Sequence, residues 1–127
     1  MTAITVVDAS VAGAVLFVEK EGDVFRQKLS VVSLVAPAIL PLELANVCLS
    51  KCRRHPGSRA ALIAQFEGVF ALDIDLREVD IRGVRALAEE TGLTAYDASY
   101  LWLARVLDAD LVTLDRELAK AYASLTR

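Results

Sequence analysis

Ile4-Thr5-Val6-Val7-Asp8-Ala9-Ser10-Val11-Ala12-Gly13-Ala14-Val15-Leu16-Phe17-Val18 holds the pattern on which the whole chain is built. Ile4–Val7 is a short β-branched run that stops at Asp8, and Ser10–Val18 then reads as a helix. A strand with no polar alternation is one buried on both faces. The same pattern recurs downstream. Val31–Ala36 is a fully apolar strand closed by Pro37, and Ile39–Arg54 has helical periodicity that ends before Pro56, because a residue preceding proline disfavours the α conformation. Phe25–Leu29 suggests a short helix between these two units. Ser58 is placed to cap a helix reaching about Gly68, and Val69–Ile74 reads as a third strand. Glu78–Glu90 is a helix that Gly92 terminates. Thr94–Leu107 is another helix, Leu111–Leu114 a fourth strand and Asp115–Ser124 a final helix. Apolar strands separated by helices imply a parallel sheet covered on both faces. The expected architecture is therefore a three-layer α/β/α domain of the α/β class.

Length and composition are consistent with this. At about 100–200 residues per domain, 127 residues make a single domain spanning 1–127. Hydrophobic residues at 55% against 24% charged exclude a disordered chain. Fourteen basic residues against seventeen acidic ones leave a net charge of −3. No global positive field draws the protein to nucleic acid, so any phosphate-binding surface must be a local patch. The apolar opening Ala3–Val18 carries Asp8 in its middle and has no basic residue before it, unlike a secretory signal. Val31–Leu42 is interrupted by Pro37 and Pro41 and is too short to span a bilayer. Cys48 and Cys52, spaced i, i+4, read as two small buried residues in a reducing cytoplasm. The expectation is a cytoplasmic protein with no membrane attachment.

Four carboxylates fall at element ends. Parallel sheets place ligand sites outside the carboxyl ends of their strands, where Asp8 and Asp115 belong. Taken alone, each reads first as a helix N-cap. Asp97 lies in an otherwise apolar helix, either as the third residue of a capping box opened by Thr94 or as a site residue. On the Ile39–Arg54 helix, Leu42, Ala45, Cys48, Leu49 and Cys52 are expected on the core face, with Glu43, Asn46, Ser50 and Arg54 opposite. Glu43 is then either a solvated residue near a helix start or, with Asn46 and Ser50, the wall of a cleft. Carboxylates that converge cannot all stay ionised without a cation. Hard oxygen ligands suit Mg²⁺ or Mn²⁺. With no usable histidine or serine base, the chemistry open to such a site is metal-activated water attacking a phosphodiester.

VVDASV (6–11), PLELANV (41–47), TAYDASYLWLA (94–104) and LVTLDREL (111–118) together resemble the PIN-domain ribonucleases, nearest to the VapC-type toxins of toxin–antitoxin pairs. The four motifs run in order over nearly the whole chain. The resemblance implies a PIN-like domain whose central parallel sheet has four strands, with a fifth after the last helix missing or very short because the chain stops at Arg127. It also implies that Asp8, Glu43, Asp97 and Asp115 form an acidic site for Mg²⁺ or Mn²⁺. Ser10, Asn46 and Thr113 then line that site. The implied function is a metal-dependent endoribonuclease toxin, usually dimeric and held inactive by a cognate antitoxin.

RNA needs a positive path to such an acidic pit. Lys51, Arg53, Arg54 and Arg59 cluster where the Glu43 helix ends, and Arg116 adjoins Asp115. Arg54 and Arg116 are the preferred phosphate contacts, by helical face and adjacency. Asp73 and Asp75, in LDIDL, read as surface, and Trp102 as core. Val15, Phe17, Phe25 and Leu29 on the first two helices are candidates for an antitoxin groove, or ordinary core. A receiver-type phosphoacceptor domain is excluded, since it needs an acidic pair after its first strand and a lysine after its last. A PIN-like module that only binds RNA or a partner, without catalysis, is the alternative reading.

Overall fold

A computed structural model describes residues 3–125 of the chain. The elements are β1 (Ile4–Val7), α1 (Ala9–Leu16), α2 (Gly22–Leu29), β2 (Ser33–Pro37), α3 (Leu40–Arg54), α4 (Arg59–Phe66), β3 (Ile74–Arg77), α5 (Ile81–Thr91), α6 (Ala95–Leu107), β4 (Asp110–Val112) and α7 (Arg116–Leu125). Short 3₁₀ turns occupy Pro56–Ser58 and Glu67–Ala71. Four strands form one sheet in the order β3-β2-β1-β4, and every neighbouring pair is parallel. The chain steps from β1 to β2 to β3 in one direction, then returns to lay β4 on the far side of β1. Right-handed crossovers turn that path into two covering layers, α1–α4 on one face and α5 and α6 on the other. The order reverses between β1 and β4, so a crevice opens at the carboxyl ends of those two strands.

The core follows from the apolar strands. Val6, Val7, Val35 and Ala36 are buried in the sheet, covered by Val11, Leu40 and Leu44 of α1 and α3 and by Tyr100, Leu101 and Ala104 of α6. Gly92, at φ 78°, closes α5 in the left-handed conformation expected of it. Gly83 lets α5 approach α6, because a Cβ there would lie 2.7 Å from the Trp102 indole nitrogen.

Several expectations are corrected. The third strand is Ile74–Arg77, not Val69–Ile74. Val69 and Leu72 pack on the core while Phe70 lies edge-on to Phe66, a spacing of three and four that winds a 3₁₀ turn. The strand itself alternates Ile74 and Leu76 with Asp75 and Arg77, as suits a sheet edge, where charged side chains discourage further pairing. On α3 the buried line is Leu40, Leu44 and Cys48, whereas Leu42 and Leu49 are exposed. Phe17 is buried in the core rather than offered at a groove. Trp102 is only half-buried, packed against the core beside Gly83. Ser58 precedes α4 but makes no side-chain cap, because a 3₁₀ turn leads into that helix. No fifth strand occurs among the described residues, and Thr126 and Arg127, where one would follow α7, lie outside them. Among the described residues no helix is long and apolar enough to cross a membrane.

Candidate active site

Asp8 leaves β1 with an extended backbone and caps α1, its Oδ1 accepting the Val11 N–H at 3.1 Å. The same oxygen accepts the Ser10 hydroxyl at 2.6 Å, and Oδ2 accepts the Thr113 hydroxyl at 2.5 Å. Both hydroxyls also accept from the segment after β4. Thr113 accepts the Asp115 N–H at 2.9 Å, and Ser10 accepts the Leu114 N–H at 2.9 Å. Two hydroxyls thus tie the end of β1 to the segment after β4 and set Asp8 and Asp115 on the two sides of the switch point. Asp115 caps α7 in turn, its Oδ1 accepting from Glu117 at 2.9 Å and Leu118 at 3.1 Å. Capping does not by itself exclude a site role for these two aspartates: the cap bonds use one oxygen of each, although the second oxygen of Asp8 is bound by Thr113.

Asp97 enters from α6. Thr94 is the N-cap of that helix and its hydroxyl accepts the Asp97 N–H at 3.1 Å, which fixes the first turn. Glu43 enters from the first turn of α3. It is half-buried and bound to a residue outside the predicted site set: the Tyr100 hydroxyl donates to Glu43 Oε1 at 2.5 Å. Tyr100 follows Asp97 by three residues and so shares its face of α6. A buried phenol needs a partner for its O–H, but the sequence does not name that partner. Burial and the adjoining Glu43 carboxylate push the phenol far above its usual range, so it remains a donor.

Three of the acids are shifted by burial and by neighbouring carboxylates. Burial raises the Asp8 carboxyl above its ordinary value and the charge of Asp115 adds to it, against the lowering effect of its hydrogen bonds. Asp97 is raised by burial, then by Asp115 and Asp8. Glu43 is raised by burial, then by Asp97 and Asp8. Among the described residues no lysine or arginine forms an ion pair with any of the four. Like charges gathered in a partly buried crevice without a counter-ion call for a cation.

The family model described as PIN domain matches residues 5–124. The chain belongs to the PIN domain family. PIN domains are generally nucleases that work with divalent metals, and the parallel sheet with its acidic crevice is that nuclease-type fold. The crystal structure of PAE2754 from Pyrobaculum aerophilum is similar, with a TM-score of 0.75 at 26% sequence identity over 98% of this chain and 95% of that one. No curated protein matches the chain significantly.

This PIN domain's donors suit a hard divalent ion in kind, being carboxylate oxygens in excess over any neighbouring cation. They do not form a closed cage: among the described residues no three acidic, histidine or cysteine side chains converge on one point. That arrangement fits Mg²⁺, which is held by one or two carboxylates and keeps several of its waters. The remaining candidates divide. Asn46 is exposed and lines a cleft with Glu43, Ala9 and Tyr96. Arg116 is exposed beside Asp115 at the start of α7. Arg53, Arg54 and Arg59 are exposed, but Arg54 lies eleven residues beyond Glu43, roughly 16 Å along the helix axis. Lys51 turns away from that surface, paired with Glu19 at 2.5 Å and set 5.5 Å from the centre of the Phe17 ring.

Proposed function

We propose that this PIN domain is a Mg²⁺- or Mn²⁺-dependent endoribonuclease of the VapC toxin type, acting as a homodimer and neutralised by a cognate antitoxin. The observation that carries the nuclease reading is the set of four carboxylates without a cationic partner around the switch point, with Asp8 among them held by the Ser10 and Thr113 hydroxyls. The four motifs in register carry the toxin reading, and the single PIN domain fills residues 1–127.

One or two of Asp8, Asp97 and Asp115 would hold the ion directly and the rest through its waters, with Glu43 either sharing it or positioning water. Such an ion supplies Lewis-acid polarisation of the scissile phosphodiester and lowers the pKa of attacking water. The protein's own part is orientation. Ser10 and Thr113 keep Asp8 from rotating. Tyr100 occupies one oxygen of Glu43 and leaves the other for water or metal. Arg116 stands where an incoming phosphate first meets the acids, and Arg53, Arg54 and Arg59 can meet the strand only at a more distant phosphate. Lys51, committed to Glu19, is the weakest of the five basic candidates.

The test is cleavage of end-labelled total RNA by the purified, antitoxin-free protein in Mg²⁺, Mn²⁺ or EDTA, beside Asp97→Asn. Discrete cuts that need metal and vanish in the variant are the expected result. A folded wild type that neither cuts RNA nor binds metal would make this a PIN-like binding module instead.

A further inference from the structure

We infer that the apolar cavity next to the acids is a subsite for one unpaired nucleobase of the RNA, with Tyr96 as its stacking platform; this rests on the ribonuclease reading above. The cavity, about 430 Å³, opens at the carboxyl ends of β2 and β3 against the beginnings of α5 and α6. Pro37, Val79 and Tyr96 are among its walls. It adjoins the acidic site, because Ile39 and Tyr96 line both this cavity and the cleft that contains Glu43 and Asn46. Tyr96 immediately precedes Asp97, and its side chain is more than half exposed in the absence of RNA. An exposed aromatic one residue from a catalytic carboxylate is placed to stack a base that flanks the scissile phosphate. Single-stranded RNA is recognised mainly through bases splayed onto such side chains.

The polar groups around the cavity fit a nucleotide. Arg77 and Arg85 line it, and their partners Asp75 and Glu89 are exposed. Exposed pairs of this kind are weak, so a phosphate can take either guanidinium. Ser99 donates its hydroxyl to the Tyr96 carbonyl at 2.6 Å and keeps its lone pairs, while the Glu78 side chain offers acceptor oxygens. Two acceptors beside an apolar slot select a base with an exocyclic amine, so adenine, cytosine and guanine are favoured over uracil. An apolar side chain from a protein partner would use neither the acceptors nor the arginines.

The experiment follows the amide spectrum of the full-length ¹⁵N-labelled protein in EDTA as AMP, CMP or UMP is added. The expected result is saturable shifts at Ala38, Val79, Tyr96 and Ser99, with AMP and CMP binding more tightly than UMP. Tyr96→Ala weakens AMP binding at least about fivefold, the lower end for loss of a stacked base. Tyr96→Phe, which keeps the ring, retains binding, and so does Phe70→Ala, which removes an exposed ring outside the cavity. The same spectra report whether each variant is folded. Shifts elsewhere, or binding unchanged in a folded Tyr96→Ala, overturn the subsite. If Tyr96→Ala alters the molecular mass by light scattering while nucleotides leave the cavity unshifted, the face belongs to a protein and the proposal fails. The outcomes separate the two readings. Metal-dependent RNA cleavage without nucleotide shifts in the cavity overturns the subsite alone, and nucleotide shifts without cleavage uphold the subsite while removing the nuclease.

Discussion

Asp8 and Asp75 stand two strands apart in one sheet and meet opposite fates. Asp75 pairs in register with Val35 on the edge strand β3, is largely exposed, and is bound by Arg77 at 2.8 Å. Asp8 ends β1, is 4% exposed, and has hydroxyl and amide donors around it but no cation. Both belong to acidic groups in the sequence, with Asp73 beside Asp75 and the distant Asp97 and Asp115 beside Asp8 only in space. The difference lies in topology. An edge strand leaves a carboxylate in water, where a neighbouring arginine satisfies it cheaply. The reversal of strand order between β1 and β4 forces Asp8 and Asp115 to face each other across a crevice. The proposed site is distinguished not by acidity alone but by acidity without a cationic partner at a switch point.

That contrast can be broken most severely by neutralising the two kinds of acid. Asp8→Asn and Asp97→Asn are expected to lower metal-dependent RNA cleavage by more than about 100-fold, beyond the range for an outer-shell partner. Asparagine remains a good N-cap, so Asp8→Asn should still fold, as circular dichroism would verify. Tyr100→Phe should cost roughly tenfold in cleavage and in Mn²⁺ affinity, because Glu43 loses the donor that orients it. Steady-state kinetics over a metal titration would register this, and an unchanged metal dependence would remove Tyr100 from the site.

Stability should respond to metal at the crevice and not at the edge. Mn²⁺ at about 100 times its Kd should stabilise the wild type by about 2.7 kcal/mol, and Asp97→Asn should lose most of that gain in calorimetric melting. In EDTA the sign of the pH effect follows from the raised carboxyls. The Asp8, Glu43 and Asp97 carboxyls are held above their ordinary values by burial first and by one another's charges second, so ionising them opposes folding. Their contribution to stability is fully present below about pH 4, the unfolded value, and is lost as pH rises through the raised folded values. Between about pH 5 and about pH 7.5 the metal-free wild type should therefore lose more Tm than Asp97→Asn does. The smallest effect belongs to the edge: Asp75→Asn should leave cleavage unchanged and shift stability by no more than about 0.5 kcal/mol.

Much of this was legible in the chain itself, for physical reasons. Unalternating apolar runs announce strands buried on two faces, and a residue before proline or a glycine after a periodic run announces where helices stop. The α/β architecture and the order of its elements followed from these signals. The third strand was misplaced because Val69-Phe70-Ala71-Leu72 is apolar throughout, so composition could not separate a period of two from one of three. The face of α3 was misassigned for a related reason. Helical periodicity says which residues align, but the direction of the core is set by where β2 delivers the helix, and this buried Leu40 and Leu44 rather than Leu42 and Leu49. At the site, the acids could be singled out as residues at element ends. Tyr100 could not, because a phenol in an apolar helix reads as core until its partner is known. Nor could the Ser10 and Thr113 bridges be foreseen from the residues alone, since they depend on β4 lying beside β1.

The most direct test of the central claim is calorimetric titration of Mn²⁺ into the EDTA-stripped full-length protein, alongside Asp97→Asn and Asp75→Asn. Saturable binding to the wild type and to Asp75→Asn, lost in a folded Asp97→Asn, is the predicted result. A wild type that takes up no Mn²⁺, or an Asp97→Asn that binds it equally well, would contradict the assignment of the switch-point carboxylates as a metal site.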